Sequence, residues 1–368
     1  MFAPNSPASL GLHRDERKMT AVTPSALRNA GRAARLCFGI ALLCLFAIAA
    51  QPRGDADNGR VRLAPRFSPG QVLRYQIEVR NVSKGRTNGP IRDPEAASQL
   101  KQTTTIVIRL EVLSVDPQPG HDISKVHIRA TYEHSAATNE SDAYDEQADA
   151  IVEQFRKLEG QSMEFTLDGD GRISDLHGLD KILEDPSAIA SARGWLSSIS
   201  SGSGYPKKGI AIGEKWHSEE PLAGAPLKGT VWRADSTYLR NEPCNAKSGA
   251  TQGASGVPAL PVASSDGEMC AIVLTQFKIL QMNPRGDLTP PDYVHSGLRT
   301  SGSWTGSGDS LNSISLRTGL VISVTQTSDQ LMNFTISSSS SPSRMDYAGE
   351  VNSQSQIALL PNSSESRQ

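Results

Sequence analysis

The chain has few aromatic residues, few cysteines and no large excess of charge of either sign. Aromatic residues make up 5% of the 368 residues, and all hydrophobic residues 37%. A core of this composition must be mainly aliphatic, and the abundant Ser, Thr and Gly favour strands and turns over a helical bundle. The formal net charge is -2. No basic excess is therefore present to neutralise phosphates, and we expect no nucleic-acid partner.

The linear motifs of common enzyme classes are missing as well. No His-Glu-x-x-His, phosphate loop or Gly-x-Ser-x-Gly elbow occurs in the body, since Gly302–Gly306 has tryptophan at its centre. His217–Glu219 matches half of the zinc-deaminase signature, but Lys247 stands where its last cysteine is needed. Ser98 and Lys101 have the Ser-x-x-Lys spacing without the other motifs of such enzymes. The sequence predicts no catalytic, cofactor-binding or metal-binding residues.

Two further groups of residues are given structural interpretations. Asp168-Gly-Asp170-Gly171 resembles half of a calcium loop, but His177 occupies the position of the required acid, so we predict a tight turn. The histidines of the body are scattered and are interpreted as non-ligands, with His127 facing solvent; they are His121, His127, His134, His177, His217 and His295. The tryptophans are expected to pack in or beside the core, or else to line an apolar pocket; they are Trp195, Trp216, Trp232 and Trp304.

One uncharged hydrophobic run, Leu36–Ala50, is the clearest feature of the sequence. Arginines precede it and small residues end it, a pattern typical of a secretory signal cut near Ala49 or Ala50. The run is shorter than the roughly 20 residues that span a bilayer. The 35 residues before it leave two alternatives open, a start at Met19 or an uncleaved membrane anchor. In each case we expect the body outside the cytoplasm, in the periplasm, the envelope or the medium.

The cysteines fit an oxidising compartment. Cys37 and Cys44 lie in the hydrophobic run, which leaves Cys244 and Cys270 in the body. Each stands at the end of a strand-like segment, and a Gly-, Ser- and Pro-rich stretch separates them. We predict a disulfide that closes this loop, with two buried free thiols as the alternative. A zinc site is disfavoured because histidines are not nearby.

Hydrophobic residues then alternate with period two, which predicts strands with one face on a core. The early strands carry Leu73 to Val79, Ile106 to Val112 and Val126 to Tyr132, and a surface loop is expected at Lys84–Ala97. A hairpin is expected at Met163–Leu176. Later strands are predicted at Lys215–Ser218, Thr230–Leu239, Cys270–Leu280, Gly297–Ser307, Leu311–Arg317, Leu320–Gln326 and Leu331–Ser338.

Two helical segments interrupt the strands. Ala143–Leu158 places acidic residues early and basic residues late, and Gly160 ends it. Leu179–Ile199 contains a proline at which a new helix begins. We predict an α+β fold of mostly antiparallel strands, a curved sheet or half-barrel, with a two-helix insertion on one face. The expected organisation is a targeting segment 1–50, a linker 51–66, one domain 67–358 with an insertion 143–200 and a loose loop 245–268, and a tail 359–368.

Several short patterns, in this order and spacing, resemble a family of exported bacterial proteins that is known as a domain of unknown function. They are Phe67-x-Pro69-Gly70-x-x-Leu73-x-Tyr75, Phe165-x-Leu167-Asp168-x-x-Gly171-x-Ile173, Gly209-x-x-x-Gly213-x-x-Trp216 and Thr318-Gly319-Leu320. The resemblance covers about Phe67 to Thr335. It implies a β-rich envelope protein with a helical interruption and supplies no catalytic residues.

These observations lead to a functional hypothesis. We expect a non-enzymatic envelope protein that binds an apolar molecule or another envelope protein between the sheet and the helices. A hydrolase whose residues are scattered through the sequence, or a structural surface module, are the alternatives. If catalysis takes place, a histidine and a carboxylate should converge in one pocket.

Overall fold

A computed structural model describes the body of the chain. The described residues are 59–88, 99–117, 125–142, 146–168, 172–178, 182, 196, 205–222, 225–245, 267–282, 285–295, 297–338 and 344–361. The predicted signal segment, with Ala49 and Ala50, lies outside them. In the described part of the chain, no helix combines the length and hydrophobicity that a membrane crossing requires.

Eleven antiparallel strands form one open, curved sheet, in the order β5-β4-β3-β2-β1-β11-β10-β9-β8-β7-β6. The strands are β1 (Val72–Asn88), β2 (Gln99–Asp116), β3 (Lys125–Ser141), β4 (Ser162–Leu167), β5 (Ile173–His177), β6 (Lys215–Pro221), β7 (Thr230–Pro243), β8 (Met269–Gln281), β9 (Leu298–Ser315), β10 (Val321–Ser338) and β11 (Arg344–Leu359). The first and last strands pair with each other, so two meanders join at the middle of the sheet. The predicted fold class is confirmed.

The period-two pattern of the early strands produces the apolar core. Tyr75, Ile108 and Ile128 are fully buried, whereas Arg74 and Arg109 lie on the opposite face. We call the side of the sheet that carries Tyr75 the core face and the other side the charged face. The hydrophobic alternation sets the register, because a shift by one residue would move every apolar side chain of a strand into water.

Helix α1 (Glu146–Leu158) covers part of this core through Phe155 and Leu158, and it agrees with the predicted segment from Glu146 onward. The second predicted helical segment lies outside the described residues except for Ile182 and Leu196. Both are helical, and Leu196 is fully buried in the core. A short helix α2 (Pro291–His295) beside β9 was not predicted.

The predicted hairpin is present as β4 and β5. The Arg172 backbone N–H donates to Asp168 Oδ1 at 2.9 Å, and the Asp168 N–H donates to the Arg172 carbonyl at 3.0 Å. This side-chain-to-backbone pairing is typical of a turn in which an Asp side chain caps the chain reversal. Gly169, Asp170 and Gly171 lie outside the described residues.

Two predicted breaks between strands are absent from the structure. Gly297–Ser307 and Leu311–Arg317 belong to one strand, β9, and Leu320–Gln326 and Leu331–Ser338 belong to one strand, β10. The polar residues in the middle of each strand are typical of a loop in the sequence, but their backbone groups pair with the neighbouring strands. The expected loop at Lys84–Ala97 begins only after Asn88, since β11 pairs with β1 as far as that residue. Strand β11 itself was not predicted.

The strands near the disulfide are buried on both faces. Ile272 belongs to the main core, and its neighbour Val273 belongs to a second cluster with Leu63 and Ile210. Successive strand residues point to opposite faces, so β8 is covered on each side at this end. The second cluster depends on the segment before β1, where Val61 exchanges two backbone hydrogen bonds of 2.8 Å with Ile210.

Candidate binding face

The core face extends beyond the apolar core and changes its chemistry at the same level in adjacent strands. Ile77 pairs with Ile106 and Ile357, all of them buried. Four residues further along β1, Asn81 pairs with Gln102 and Ser353 on that face. The aliphatic rows therefore give way to rows of amide and hydroxyl side chains.

We call this continuation of the core face the neutral face. From β1 to β2 and from β7 to β11, the described positions on this side carry no Asp, Glu, Lys or Arg, whereas the opposite positions of each strand include at least one. Its polar members are Asn81, Ser83, Gln102, Thr104, Ser236, Thr275, Gln281, Ser310, Gln326, Ser328, Gln330, Ser353 and Ser355. A large face that is polar but uncharged can form hydrogen bonds with a ligand, but it offers no opposite charge to an ionic ligand.

Aromatic side chains lie on the neutral face. Trp232 stacks on Phe277 with ring centroids 3.8 Å apart, and Phe334 contacts Tyr347 at 5.2 Å. Trp304 Nε1 donates to Gln330 Oε1 at 3.2 Å. All except Phe277 are partly exposed. Partial burial raises the pKa of the Tyr347 phenol, because it removes water that would solvate the phenolate.

Glycines in β9 and β11 let these rings lie flat against the sheet. A Cβ on Gly308 would stand 2.5 Å from the Phe277 ring and 2.1 Å from the Thr327 carbonyl oxygen. A Cβ on Gly349 would stand 2.7 Å from the Tyr347 hydroxyl. Only hydrogen fits at these positions, so the glycines and the aromatic residues on neighbouring strand positions form one packing unit.

Several polar atoms on this side of the sheet are buried without a hydrogen-bond partner. They include both amide atoms of Gln281, Nε2 of Gln102, and Oγ of Ser135, whose residue is 3% exposed. Such atoms are uncommon in native proteins, because losing a hydrogen bond to water without replacement costs about 1–3 kcal/mol. Gln281 and Gln102 stand in different halves of the sheet, so the neutral face has an unmet hydrogen-bonding capacity in both meanders.

The disulfide prediction is confirmed. Cys244 and Cys270 are at disulfide distance, with Cα atoms 5.0 Å apart, and both are buried in the main core. The Cys244 N–H donates to the Glu268 carbonyl at 2.8 Å. The Glu268 carboxylate is 6% exposed and accepts hydrogen bonds from Ser315 and Arg317. The crosslink therefore fixes both ends of the 245–268 segment against β9.

Three of the described histidines lie within 3.2 Å of a carboxylate, each at a different place, and His177 lies opposite Glu164 in the pairing of β4 with β5. His127 is 3.2 Å from Glu164, His134 is 3.2 Å from Glu159, and His217 is 3.1 Å from Asp235. All three histidines are at least 39% exposed, and each pair lies on an open surface. His127 thus faces solvent, as predicted. His–carboxylate pairs in the described ranges do not meet in a shared pocket.

The carboxylate of Glu164 also accepts two hydrogen bonds from Arg129, at 2.9 and 2.8 Å. This contact with Arg129 is the main reason that the pKa of Glu164 is lowered. Glu164 is therefore a stable counter-ion and not a proton donor at neutral pH. No group of three or more His, Cys, Asp or Glu side chains with metal-binding geometry occurs among the described residues.

The other residues considered from the sequence lie apart. Glu219 pairs with Arg233, and Lys101 is 3.6 Å from Glu140 on the surface. Trp216 packs beside Tyr205 at the second cluster, and His295 Nδ1 is 2.7 Å from the Pro291 carbonyl oxygen. Ser98, His121, Trp195 and Lys247 lie outside the described residues.

A shallow depression on the charged face is a second concave feature. It crosses β1, β11 and β10 and is lined by Glu78, Arg80, Thr325, Thr327, Gln354 and Gln356 together with Gln326 and Ser355. It is open to solvent, and Gln76 Nε2 already donates to Glu78 Oε1 at 3.0 Å. The neutral face is the stronger candidate, because it combines amide and hydroxyl side chains with partly exposed aromatic rings.

Sequence reasoning missed the neutral face, although one signal was present. The segment Val351-Asn-Ser353-Gln-Ser355 alternates with period two but has no hydrophobic side. A search for apolar alternation passes over such a strand, whereas the glycine-rich segment Gly302–Gly308 falls largely within the strand predicted at Gly297–Ser307. Alternation of serine with larger polar residues would have indicated the segment in β11.

Comparison with known proteins adds no family assignment: no protein-family model matches the chain, and no curated protein matches it significantly.

Proposed function

We propose that the chain is an exported envelope protein that binds an uncharged ligand on the neutral face without catalysing a reaction. The proposal keeps the envelope role inferred from the hydrophobic segment Leu36–Ala50 and from the resemblance to exported β-rich proteins. It places the ligand on the sheet itself. The predicted concavity between the sheet and two helices includes a segment outside the described residues and stays a prediction.

The observation that carries the proposal is a polar but uncharged face that also carries aromatic rings. Asn81 and Gln330 are partly exposed there, in strands that carry no ionic groups on that side. Amides and hydroxyls of this kind can form hydrogen bonds with an uncharged ligand. The partly exposed rings of Trp232 and Trp304 add apolar contact area.

The Cys244–Cys270 disulfide is consistent with the proposed location. Disulfides persist in the periplasm and outside the cell and are rare in the cytosol, where thiols are kept reduced. The buried position of both sulfur-bearing residues suits a structural crosslink, since exchange requires access of an attacking thiolate.

The first test concerns compartment and redox state. The full-length protein with a C-terminal tag is expressed in a Gram-negative bacterium, and fractions are treated with a thiol-reactive mass label before and after reduction. We expect the body in the envelope or periplasmic fraction, with Cys244 and Cys270 labelled only after reduction. A cytosolic protein with both thiols free would contradict the proposal.

The second test concerns the ligand. Protein purified from that fraction is analysed by native mass spectrometry, and Ser328→Asp is the matched variant because it places a charge on the neutral face. We expect an additional non-covalent mass on the wild type that is lost in the variant. An equal mass on both proteins would show that the ligand binds elsewhere.

A further inference from the structure

We infer that the ligand of the neutral face is an uncharged oligosaccharide. This inference rests on the proposed function and narrows it to one chemical class. Three properties of the face support it: the absence of charge, the partly exposed amide side chains, and the partly exposed aromatic rings.

The absence of charge excludes ionic ligands from this face. A phosphate, carboxylate or ammonium group would lose water there without meeting an opposite charge, and burial of an unpaired ion is costly. The charged residues of the same strands, such as Arg80 on β1 and Asp309 on β9, lie on the other side of the sheet. An acidic polysaccharide would therefore find its counter-ions on the charged face.

The polar side chains of the face disfavour a purely apolar ligand. Asn81 and Gln330 are partly exposed there, and an amide side chain carries both a donor and an acceptor. A hydroxyl group can pair with either, whereas an acyl chain pairs with neither. Burial of these amides under an acyl chain would remove their water without replacing its hydrogen bonds.

The aromatic rings favour a sugar over other hydroxyl-bearing molecules. Sugar rings have an apolar C–H face that packs on an aromatic ring, while their hydroxyl groups point outward to amides and hydroxyls. Trp232 pairs with Ile279, which pairs with Gly306, and Trp304 lies two residues before Gly306. The two tryptophans are thus two strands apart and offset by two residues along the strand, a Cα separation of about 12 Å, which is comparable with the length of a disaccharide.

A peptide is a poorer occupant of this face. Extended peptides bind sheets by adding a strand to an open edge, where backbone groups are free. The neutral face lies in the middle of the sheet, where β9, β10 and β11 pair on both sides. Only side chains are available there, and they offer amides and hydroxyls.

The test uses the full-length exported protein and defined probes. Binding is measured by tryptophan fluorescence and calorimetry with neutral β-glucan, mannan and galactan oligosaccharides. Heparin and phosphatidylglycerol vesicles serve as comparators. We expect saturable binding of at least one neutral oligosaccharide and none of the comparators at the neutral face.

Two variants and one control locate the site. Trp304→Ala should weaken oligosaccharide binding about tenfold or more, because a stacked aromatic anchor is lost. Gln330→Leu should also weaken binding, because it removes a partly exposed amide beside Trp304 while nearly keeping the side-chain volume; a purely structural role would lower the stability and leave the affinity of the folded protein unchanged. Leu331→Ala, 56% exposed on the charged face, should leave binding unchanged.

The outcomes separate the inference from the proposed function. Binding of vesicles alone, lost in Trp304→Ala, would overturn the sugar assignment and keep a ligand on the neutral face. Oligosaccharide binding that is as strong in Trp304→Ala and Gln330→Leu as in the wild type would overturn the site. No binding to any probe, together with no additional mass on the purified protein, would overturn both.

Discussion

Two regions of one sheet face, continuous along the same strands, differ in almost every physical property. In the apolar core, Tyr75, Ile108 and Phe165 are fully buried and packed together with α1. On the neutral face, Asn81, Gln102 and Gln330 follow in the same alternation. Folding explains the first region, because burial of apolar area is the main favourable term. The neutral face buries little apolar area, so folding does not explain it, and we assign it to binding.

The largest expected effect is the difference in stability between replacing a fully buried phenylalanine and replacing a partly exposed one. Phe165→Ala should lower the free energy of unfolding by about 3–5 kcal/mol, because the residue is 0% exposed and leaves a cavity. Phe334→Ala, on the neutral face, should cost about 1 kcal/mol, since its ring already contacts water. Chemical denaturation of both variants measures the difference. Equal losses would mean that the two regions are packed alike.

The next effect is the loss of stability when the buried Cys244–Cys270 disulfide is removed. Replacement of Cys244 and Cys270 together by Ala should lower the free energy of unfolding by about 3 kcal/mol, because the bond closes a loop with a sequence separation of 26. Denaturation of the wild type with a reductant present should reproduce the loss. A double variant as stable as the oxidised protein would show that the crosslink does not constrain the unfolded chain.

A carboxylate introduced on the neutral face and one introduced on the charged face should have different effects on stability. Ser328→Asp puts a carboxylate at a position that is 6% exposed and should cost about 3 kcal/mol at neutral pH. Burial raises the pKa of such a carboxyl, so the loss should shrink as the pH falls and the group becomes neutral. Thr305→Asp, exposed on the charged face of β9, is the control and should change little.

The effect of Ser328→Asp is read from unfolding curves at neutral and mildly acidic pH. A pH-independent loss would point to a steric and not an electrostatic cause. Tolerance of the carboxylate at neutral pH would show that this face accommodates a charge, and the argument for an uncharged ligand would then fail.

The smallest effect concerns one phenol in the core. Tyr75 donates to the Val321 carbonyl at 3.0 Å, and Tyr75→Phe should cost about 1 kcal/mol by leaving that oxygen unpaired. Burial raises the pKa of Tyr75. Its contribution to stability is therefore complete below its unfolded pKa of about 10 and is lost as the pH rises further.

Unfolding curves measured between neutral pH and pH 11 test this. The wild type should lose stability steeply above pH 10, and the Tyr75→Phe variant less steeply. Tyr132, whose pKa is also raised by burial, keeps part of the slope in the variant. Identical slopes would mean that Tyr75 ionises freely in the folded protein.

Prediction from the sequence succeeded where hydrophobicity alternates and failed where it does not. Ile106, Ile108 and Leu110 define one buried side of β2 without any knowledge of the rest of the chain. β11 has no such series before Ile357, so its pairing with β1 was not foreseen. β9 and β10 were divided for the same reason, because their polar centres look like loops until two neighbours are seen to pair with them.

The candidate site lay beyond sequence reasoning for a related cause. Trp304 and Gln281 are 23 positions apart in the sequence, and their common side of the sheet depends on the registers of β8 and β9. The cysteine pair was foreseeable, because both residues end strand-like segments and nothing else in the body could pair with them.

The sequence by itself determined the strand-rich class, the hairpin at β4 and β5, the helix α1 and the disulfide, since each depends on local patterns or on counting. The tertiary structure alone decided that the first and last strands meet and that uncharged polar rows from both meanders share one face. Both features depend on pairing between strands that are distant in the sequence. The side-chain alternation of one strand does not specify which strand lies beside it.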